Sequence, residues 1–328
     1  MSRPPVVAVI IPCYNEAGAI GRVVDAFKVM LPQAELHVFD NASTDGTAGI
    51  AAAHGAVIHH VALPGKGNVV RRMFADVEAD AYVMTDGDAT YDLANVAEMV
   101  DGVLSGGLDM VVGARVDNGA KQAYRAGHRF GNRLLTGSVT LLFGGGFRDI
   151  LSGHRVFSRR YVKTFPAAAR GFEVETELTI HALELRVACR ELPVAYLARP
   201  SGTVSKLSTY RDGWRILGTI GKLFTSERPL AFFLLLAALL AMASMALGIP
   251  VILHYFETGL VPRLPTAVLA TGTMLSALMS LVCGVVLHNV TLARQEAKRL
   301  AFLAIPATGL KRAYSAATGL PPSNEAIP

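Results

Sequence analysis

Two aspartates separated by one glycine, Asp86-Gly87-Asp88, follow an apolar run of the chain. Carboxylates two residues apart at the end of an extended strand can point the same way, and they repel each other unless a positive charge lies between them. A hard divalent cation such as Mg²⁺ or Mn²⁺ takes oxygen ligands from carboxylates and phosphates together, and Gly87 lets the backbone approach a ligand closely. The triplet therefore predicts a metal site, with a solvated turn as the alternative.

Three further polar clusters follow apolar runs in the same way. They lie at residues 12–16, 40–47 and 64–67, and they contain Pro12, Tyr14 and Glu16, then Asp40, Asn41, Ser43, Asp45 and Thr47, then Gly65-Lys66-Gly67. The carboxyl ends of parallel strands lie along one edge of a sheet, which is where ligands bind. A capped turn would explain any one cluster. Four clusters together predict a binding site at that edge.

The segments that must position these clusters alternate between strand and helix patterns. A continuous apolar run predicts a strand buried on both faces at residues 6–12, and further strands are predicted over residues 36–40, 56–61, 81–85 and 110–113. Helices are expected over residues 17–31, 47–54, from 67 onward, and 93–104. This order predicts an α/β domain over residues 1–210, built on a doubly wound, mostly parallel sheet.

Composition indicates association with a membrane. Of the 328 residues, 52% are hydrophobic and only 17% are charged, which is too apolar for a purely soluble domain. A net charge of +5 suits an anionic ligand or membrane surface. Nucleic-acid binding is disfavoured, because the sequence shows no basic arm interleaved with aromatic residues. Cys13, Cys189 and Cys283 show neither metal-ligand spacing nor a paired framework, which favours a reducing cytoplasm. The first residues predict no signal peptide.

Two uncharged stretches, residues 229–256 and 265–293, each exceed the roughly 20 residues that span a bilayer as a helix. We expect a transmembrane hairpin over residues 229–293, with buried core helices as the alternative. Lys and Arg flank both outer ends, so both termini and the N-terminal domain are expected on the cytoplasmic side of the inner membrane. Residues 211–228 are expected to form an interfacial amphipathic helix or a linker, and residues 294–328 a cytoplasmic tail.

A longer array of motifs covers about residues 6–210. Its members are residues 12–16, 40–47, 65–67, 86–88 with Tyr91-Asp92, 112–115 and 149–155, and Arg199 with Ser205-Lys206. In types and order the array resembles family 2 glycosyltransferases of the GT-A fold, in their polyprenyl- and dolichyl-phosphate branch. The resemblance implies a membrane-anchored, inverting enzyme that transfers a sugar from a UDP- or GDP-linked donor to a polyprenyl phosphate of the undecaprenyl type. The product would serve envelope glycan or glycolipid modification.

The resemblance also assigns roles to residues. Nucleotide-sugar binding is assigned to Pro12, Tyr14, Glu16, Asp40, Asn41, Lys66, Asp86, Gly87, Arg115, Arg199 and Lys206. Acceptor-phosphate binding is assigned to Arg129, Ser152 and Arg155, and binding of Mg²⁺ or Mn²⁺ to Asp86 and Asp88. Catalysis is assigned to Asp88, Asp149 and Arg155. Asp149 is a candidate base, and a structural salt bridge to Arg148 or Arg155 is its alternative. Relatives also imply a homo-oligomer, which could be a tetramer.

Three positions depart from the family pattern. Thr90 replaces a Gln that helps to bind metal, Asn41 replaces a second Asp, and His154 replaces an aromatic residue in the 152–155 loop. We interpret His154 as a packing substitution. The Thr90 replacement leaves the third protein ligand of the metal undetermined.

Other functions remain as alternatives. A processive polysaccharide synthase would need a Gln-x-x-Arg-Trp signature, which the context of Trp214 does not provide. A dehydrogenase would need a complete G-x-G-x-x-G after the first strand. A membrane-tethered nucleotide-sugar-binding or assembly protein without turnover, and a transferase for another lipid acceptor, remain open.

Overall fold

A seven-stranded sheet organises the first of two structural units, which comprises residues 1–213 and 298–328. The computed structural model describes residues 4–116, 128–144, 146–171, 173–197, 218, 221–222 and 224–307. The strands are β1 (Val7–Cys13), β2 (Glu35–Asp40), β3 (Val57–His60), β4 (Ala81–Met84), β5 (Met110–Val116), β6 (Arg155–Ser158) and β7 (Cys189–Ala195). They lie in the order β3-β2-β1-β4-β6-β5-β7. Every neighbouring pair is parallel except the two pairs that β6 makes, with β4 and with β5.

Among the described residues of this unit, seven helices connect or flank the strands. They are α1 (Ile20–Met30), α2 (Thr47–Ala53), α3 (Lys66–Asp76), α4 (Val96–Leu104), α5 (His128–Phe143), α6 (Arg159–Thr164) and α7 (Val174–Leu185). β1 shows why an uninterrupted apolar run suits a sheet covered on both faces. Ala8 and Ile10 pack into one core with α3, α6 and α7, whereas Val9 and Ile11 pack into the other with α1 and α4.

The predicted fold class is confirmed: a mostly parallel sheet with helices on both faces, followed by two apolar helices. Two helices begin three residues later than predicted, α1 at Ile20 and α4 at Val96. The residues before them form turns, in which Ile20 N donates to Glu16 O and Val96 N to Leu93 O. The sequence patterns did not predict β6 and β7. β6 has only four residues, and β7 lies at the edge of the sheet.

The described part of the second unit, residues 214–297, is dominated by two apolar helices, the second of which continues to Leu303. These are α8 (Pro229–Thr258) and α9 (Leu264–Leu303), and both are long and apolar enough to cross a membrane. They run antiparallel: Ser244 Oγ donates to Ala270 O at 2.7 Å, and a Cβ on Gly284 would lie 2.8 Å from Phe233 Cβ. The tail predicted from residue 294 is therefore helical up to Leu303. Most of the segment predicted at 211–228, and the tail after residue 307, lie outside the described residues.

Candidate active site

The loops that follow β1 and β2 are held together by side chains of the second loop. Asn15 N donates to Ser43 Oγ, and Glu16 N donates to Thr47 Oγ1, both at 2.9 Å. Asn15 adopts a left-handed backbone conformation with φ 52°, which asparagine tolerates better than most residues. Small hydroxyl residues in the second loop thus fix the path of the first loop. Ser43 and Thr47 in the cluster at residues 43–47 therefore support the first loop.

The residues expected to surround a base lie along this edge with different exposure. Tyr14 is 48% exposed, whereas Glu16 and Asp40 are buried. Asp40 Oδ2 accepts a hydrogen bond from Ser43 N at 3.3 Å. Asp40 Oδ1 is buried and has no hydrogen-bond partner among the described residues. A buried carboxylate oxygen that lacks a donor is suited to receive one from a ligand.

Asn41 serves the protein itself. Its Nδ2 donates to Val61 O at 2.9 Å and to Leu63 O at 2.8 Å, and its Oδ1 accepts from Gly65 N at 2.8 Å. An aspartate could not make the two donations, because an ionised carboxylate only accepts hydrogen bonds. The departure from the family pattern at this position therefore has a structural reason. Asn41 fixes the segment that leads from β3 to Lys66.

Lys66 lies between two carboxylates at the first turn of α3. Its Nζ lies 2.5 Å from Asp86 Oδ1 and 2.5 Å from Glu175 Oε1, and all three side chains are largely buried. Burial alone would lower the pKa of Lys66, but the charges of Asp86 and Glu175 outweigh that effect and raise the pKa well above its usual value. The lysine is therefore a permanent cation at the first aspartate of the triplet.

The two glycines beside Lys66 admit the backbone of another loop. A Cβ on Gly65 would lie 2.3 Å from Arg170 O, and a Cβ on Gly67 would lie 2.2 Å from Ala169 O. Real Cβ atoms do not approach a carbonyl oxygen so closely, so both positions require glycine. Gly65 also has φ 116°, outside the range that side chains favour. Gly65-Lys66-Gly67 is thus a packing motif that seats the loop before α7, the helix that carries Glu175.

The second aspartate of the triplet has its own support. Asp88 is buried, and its Oδ1 accepts from Thr90 Oγ1 at 2.6 Å and from Thr90 N at 3.2 Å. Thr90 therefore orients a potential metal ligand. The donor set fits a divalent cation such as Mg²⁺, which is commonly held by one or two carboxylates and completed by substrate phosphates and water. Within the described residues, no group of three or more His, Cys, Asp or Glu side chains forms a fuller cage.

Asp149 forms an ion pair with Arg115 through two hydrogen bonds, and Arg155 also lies near enough for its charge to act on Asp149. Arg115 Nε lies 2.6 Å from Asp149 Oδ2, and Nη2 lies 2.7 Å from Oδ1. Burial alone would raise the pKa of Asp149, but the hydrogen bonds and charge of Arg115 bring it below its usual range. Arg115 also lies over the ring of Tyr196, 5.5 Å from its centroid. For Asp149, the alternative to a role as catalytic base was a role in a structural salt bridge. The structure shows a salt bridge at Asp149, and its partner is Arg115.

Arg155 and Ser152 are fully buried. Arg155 Nε donates to Ser152 O at 2.8 Å, Nη2 to Ile150 O at 2.6 Å, and Nη1 to Thr179 Oγ1 at 3.0 Å. Ser152 Oγ donates to Gly113 O at 2.6 Å. Both side chains therefore hold the 149–155 loop in its conformation. Phosphate binding by Arg155 and Ser152 stays a prediction.

The 152–155 loop lies against the triplet. A Cβ on Gly153 would be 2.4 Å from Asp86 Oδ2, and Gly153 N donates to the hydroxyl of Tyr91 at 2.9 Å. His154 packs beside Tyr91, with ring centroids 5.5 Å apart, and burial lowers the pKa of His154 to about 4. A neutral, buried imidazole agrees with the interpretation of His154 as a packing substitution.

The structure brings most of the predicted residues to one edge of the sheet. Lys66, Asp86, Gly87 and Asp88 follow β3 and β4, Arg115 lies near the end of β5, and Pro12 and Asp40 lie near the ends of β1 and β2. Arg199 and Lys206 fall outside the described residues, and Arg129 is described only as part of the backbone of α5. Sequence reasoning missed Glu175, because it is one of three glutamates at alternate positions in residues 173–177, a pattern typical of an ordinary charged helix start.

Comparison with known proteins identifies the family. The model of Glycosyl transferase family 2 matches residues 8–165. Glycosyltransferase AglJ of Haloferax volcanii is 30% identical over 305 residues, which cover 92% of this chain and 99% of that protein. The polyprenol monophosphomannose synthase of Mycolicibacterium smegmatis is 26% identical over 61% of this chain and 80% of its own.

A solved structure supports the same conclusion. Glucosyl-3-phosphoglycerate synthase from Mycobacterium tuberculosis, in complex with phosphoglyceric acid, is similar with a TM-score of 0.53 at 25% identity, over 66% of this chain and 80% of that one. Another structure of that enzyme, in complex with Mn²⁺ and UDP-glucose among other ligands, shares the fold with a TM-score of 0.51. The site at the carboxyl edge of a GT-A-like sheet, the matched family model and the full-length similarity to AglJ together show that this chain belongs to glycosyl transferase family 2.

Proposed function

We propose that this glycosyltransferase is membrane-anchored and metal-dependent, and that it transfers a sugar from a nucleoside-diphosphate sugar to a polyprenyl phosphate. The observation that carries the proposal is the meeting of Asp86, Asp88, Lys66 and Arg115 at the carboxyl edge of the sheet, where two anions must be held together. The donor is UDP- or GDP-linked. Asp40 supplies a hydrogen-bond acceptor for its base, beside Tyr14.

The chemistry needs positioning more than proton transfer. A phosphate monoester, whose second pKa is about 6, is largely ionised near neutral pH and attacks the anomeric carbon without a strong base. In-line attack inverts that carbon while the bond to the nucleoside diphosphate breaks. A divalent cation, Mg²⁺ or Mn²⁺, held by Asp86 and Asp88, would supply positive charge to the leaving diphosphate. Arg115, Arg129, Arg199 and Lys206 are proposed as further cations for the donor and acceptor phosphates.

The structure changes the role proposed for the 149–155 loop. Asp149 neutralises and orients Arg115 through two hydrogen bonds, so we propose that it is a positioning residue rather than a base. Arg155 holds the loop through carbonyl oxygens and Thr179, which supports a positioning role for it as well. The loop is then proposed to present the acceptor phosphate next to Asp86.

The lipid acceptor and the membrane are proposed together. Both helices of the second unit are long and apolar enough to span a bilayer, and the relative from Mycolicibacterium smegmatis is named for a polyprenol phosphate product. We propose that residues 1–210 form the catalytic domain and that α8 and α9 anchor it in the inner membrane, with both termini cytoplasmic. A homo-oligomer, such as a tetramer, is supported by exposed Gly272 and Ser276 on α9, which permit close helix packing.

The test is transfer by isolated membranes. Membranes with the chain, incubated with a panel of labelled UDP- and GDP-sugars and undecaprenyl phosphate, should yield labelled lipid from one donor, and EDTA should abolish the product. Asp88→Ala should abolish transfer while membrane insertion is unchanged. Tight donor binding without any labelled lipid would instead favour a nucleotide-sugar-binding or assembly protein. If labelled product formed only with another lipid, that lipid rather than polyprenyl phosphate would be the acceptor. Near-normal turnover by Asp88→Ala would remove the metal assignment.

A further inference from the structure

The cation at Asp86 in this structure comes from the protein. Lys66 Nζ bridges Asp86 and Glu175, at 2.5 Å from an oxygen of each. A divalent cation on Asp86 would lie about 2.1 Å from a carboxylate oxygen. On Oδ1, the oxygen that Lys66 contacts, the metal would be about 5 Å or less from the ammonium if Lys66 kept its position, and their charges would repel each other in this largely buried site. Lysine and metal therefore compete for the same carboxylate.

Glu175 offers Lys66 a second place. It lies in the first turn of α7 and is 3% exposed, and its Oε2 is buried without a hydrogen-bond partner among the described residues. An ammonium that leaves Asp86 can therefore bind both oxygens of Glu175, because a lysine carries three donors. Without Lys66, the buried carboxylate of Glu175 would lose the cation that it contacts directly, which is strongly unfavourable even though the charge of Arg155 also acts on it.

The loop before α7 fixes this geometry. Ala168 N and Ala169 N donate to the two carboxylate oxygens of Glu177, each at 2.9 Å, and Arg71 donates to Ala167 O from Nε at 3.1 Å. The carbonyl groups that follow lie against the glycines on either side of Lys66. α3 and the start of α7 are thus locked together, so the distance between Lys66 and Glu175 is set by backbone packing.

We propose that Lys66 is an internal counter-cation of Asp86, that a divalent ion displaces it onto Glu175, and that Glu175 is the positioning residue that receives it. This inference rests on the proposed function in one respect, the divalent cation at Asp86 and Asp88. Because Lys66 and the metal exchange at Asp86, the nucleotide-free protein binds metal weakly. The negative charge of a bound diphosphate then makes the displacement of Lys66 favourable. Metal would then enter together with the donor.

The test is Mn²⁺ binding to the purified full chain in detergent, followed by the paramagnetic resonance signal of free Mn²⁺. Without nucleotide, Lys66→Met should bind Mn²⁺ on the order of tenfold more tightly than the wild type, because a repelling charge is removed. Glu175→Gln should bind it several-fold more weakly, because an attracting charge and the second position of Lys66 are both lost. Lys28→Met, which removes a lysine at the exposed end of α1, is the matched control and should bind like the wild type.

Opposite shifts of the two variants distinguish electrostatic exchange from damage to the fold, which would weaken binding in both. Lys66→Gln repeats the comparison if Lys66→Met does not fold. Equal or weaker nucleotide-free binding by the folded Lys66 variant overturns the inference alone, provided that the wild type binds Mn²⁺ with UDP or GDP present. Absence of Mn²⁺ binding in every chain, with either nucleotide, overturns the metal assignment of the proposed function as well.

Discussion

Asp149 and Arg115 form a two-bond ion pair at the end of β5, with nitrogen–oxygen distances of 2.6 and 2.7 Å. Both side chains are largely buried, so either charge alone would be strongly destabilising. The pair also determines how Asp149 can act. A carboxylate whose pKa is lowered in the folded state is already ionised at neutral pH and is a poor acceptor of a proton.

Asp149→Asn should lower the free energy of unfolding by about 3 kcal/mol at neutral pH, because it leaves Arg115 without its counter-ion. Since the folded-state pKa of Asp149 is lowered, the stabilising contribution is present above the unfolded pKa of about 3.9 and is lost as pH falls through the folded pKa. Thermal unfolding from pH 3 to 8 should show a constant gap between the two chains near neutrality, which narrows below about pH 4. A gap that instead opens or closes between pH 6 and 8 would support a base.

Thr90→Val should raise the metal concentration needed for half-maximal transfer by about 10- to 100-fold, because Asp88 loses the hydroxyl that orients it. Thr90→Ser keeps that hydroxyl and should retain most of the wild-type response. The measurement is initial rate against Mg²⁺ and Mn²⁺ concentration at saturating donor. Identical metal dependence in the valine variant and the wild type would show that Thr90 does not support a metal ligand.

Asn41→Asp should destabilise the protein by about 2 kcal/mol or more, although an aspartate there would match the family pattern that the motifs resemble. The carboxylate would face Val61 O and Leu63 O, two acceptors that now receive the amide of Asn41. Thermal unfolding of the full chain measures the loss. Asn68→Asp is a matched control, since Asn68 donates to a single carbonyl at an exposed position, and it should cost less. An unchanged melting temperature for Asn41→Asp would contradict the structural explanation.

Gly67→Ala should lower the melting temperature and weaken donor binding together, because the new Cβ would displace the 169–170 backbone and, with it, the start of α7. Gly49→Ala is the control: nothing lies within 4 Å of a Cβ there, and the substitution within α2 should be neutral or stabilise by about 0.5–1 kcal/mol. Equal stability of the two variants would show that the Gly67 packing is not tight.

The sheet and the Asp86-Gly87-Asp88 triplet at its edge could be predicted, because each depends on the order of apolar and polar residues within a short stretch of chain. An apolar run such as β1 must be buried on both faces, and polar residues after such runs must collect at one edge. Lys66 with Glu175 and Arg115 with Asp149 could not be predicted in the same way, because each pair joins segments that are distant in sequence. The partner of Asp149 shows this: the arginine that hydrogen-bonds to it is Arg115, which is distant in sequence, whereas Arg155, a predicted partner, acts on its charge without a described hydrogen bond.

β6 lies antiparallel between β4 and β5. The loop that precedes β6, rather than the loop that follows it, therefore lies at the same edge of the sheet as the carboxyl ends of β4 and β5. The chain leaves the sheet at the end of β5 and returns at the start of β6, on the neighbouring strand, where Val112 is paired with Arg155. The two ends of the connection between β5 and β6 therefore lie next to each other in the sheet. Because these ends are neighbours, the connection can differ in length without any change in the strand order. Under the function that we propose, such a difference would alter the loop on the acceptor side and leave unchanged the strands that position the nucleotide.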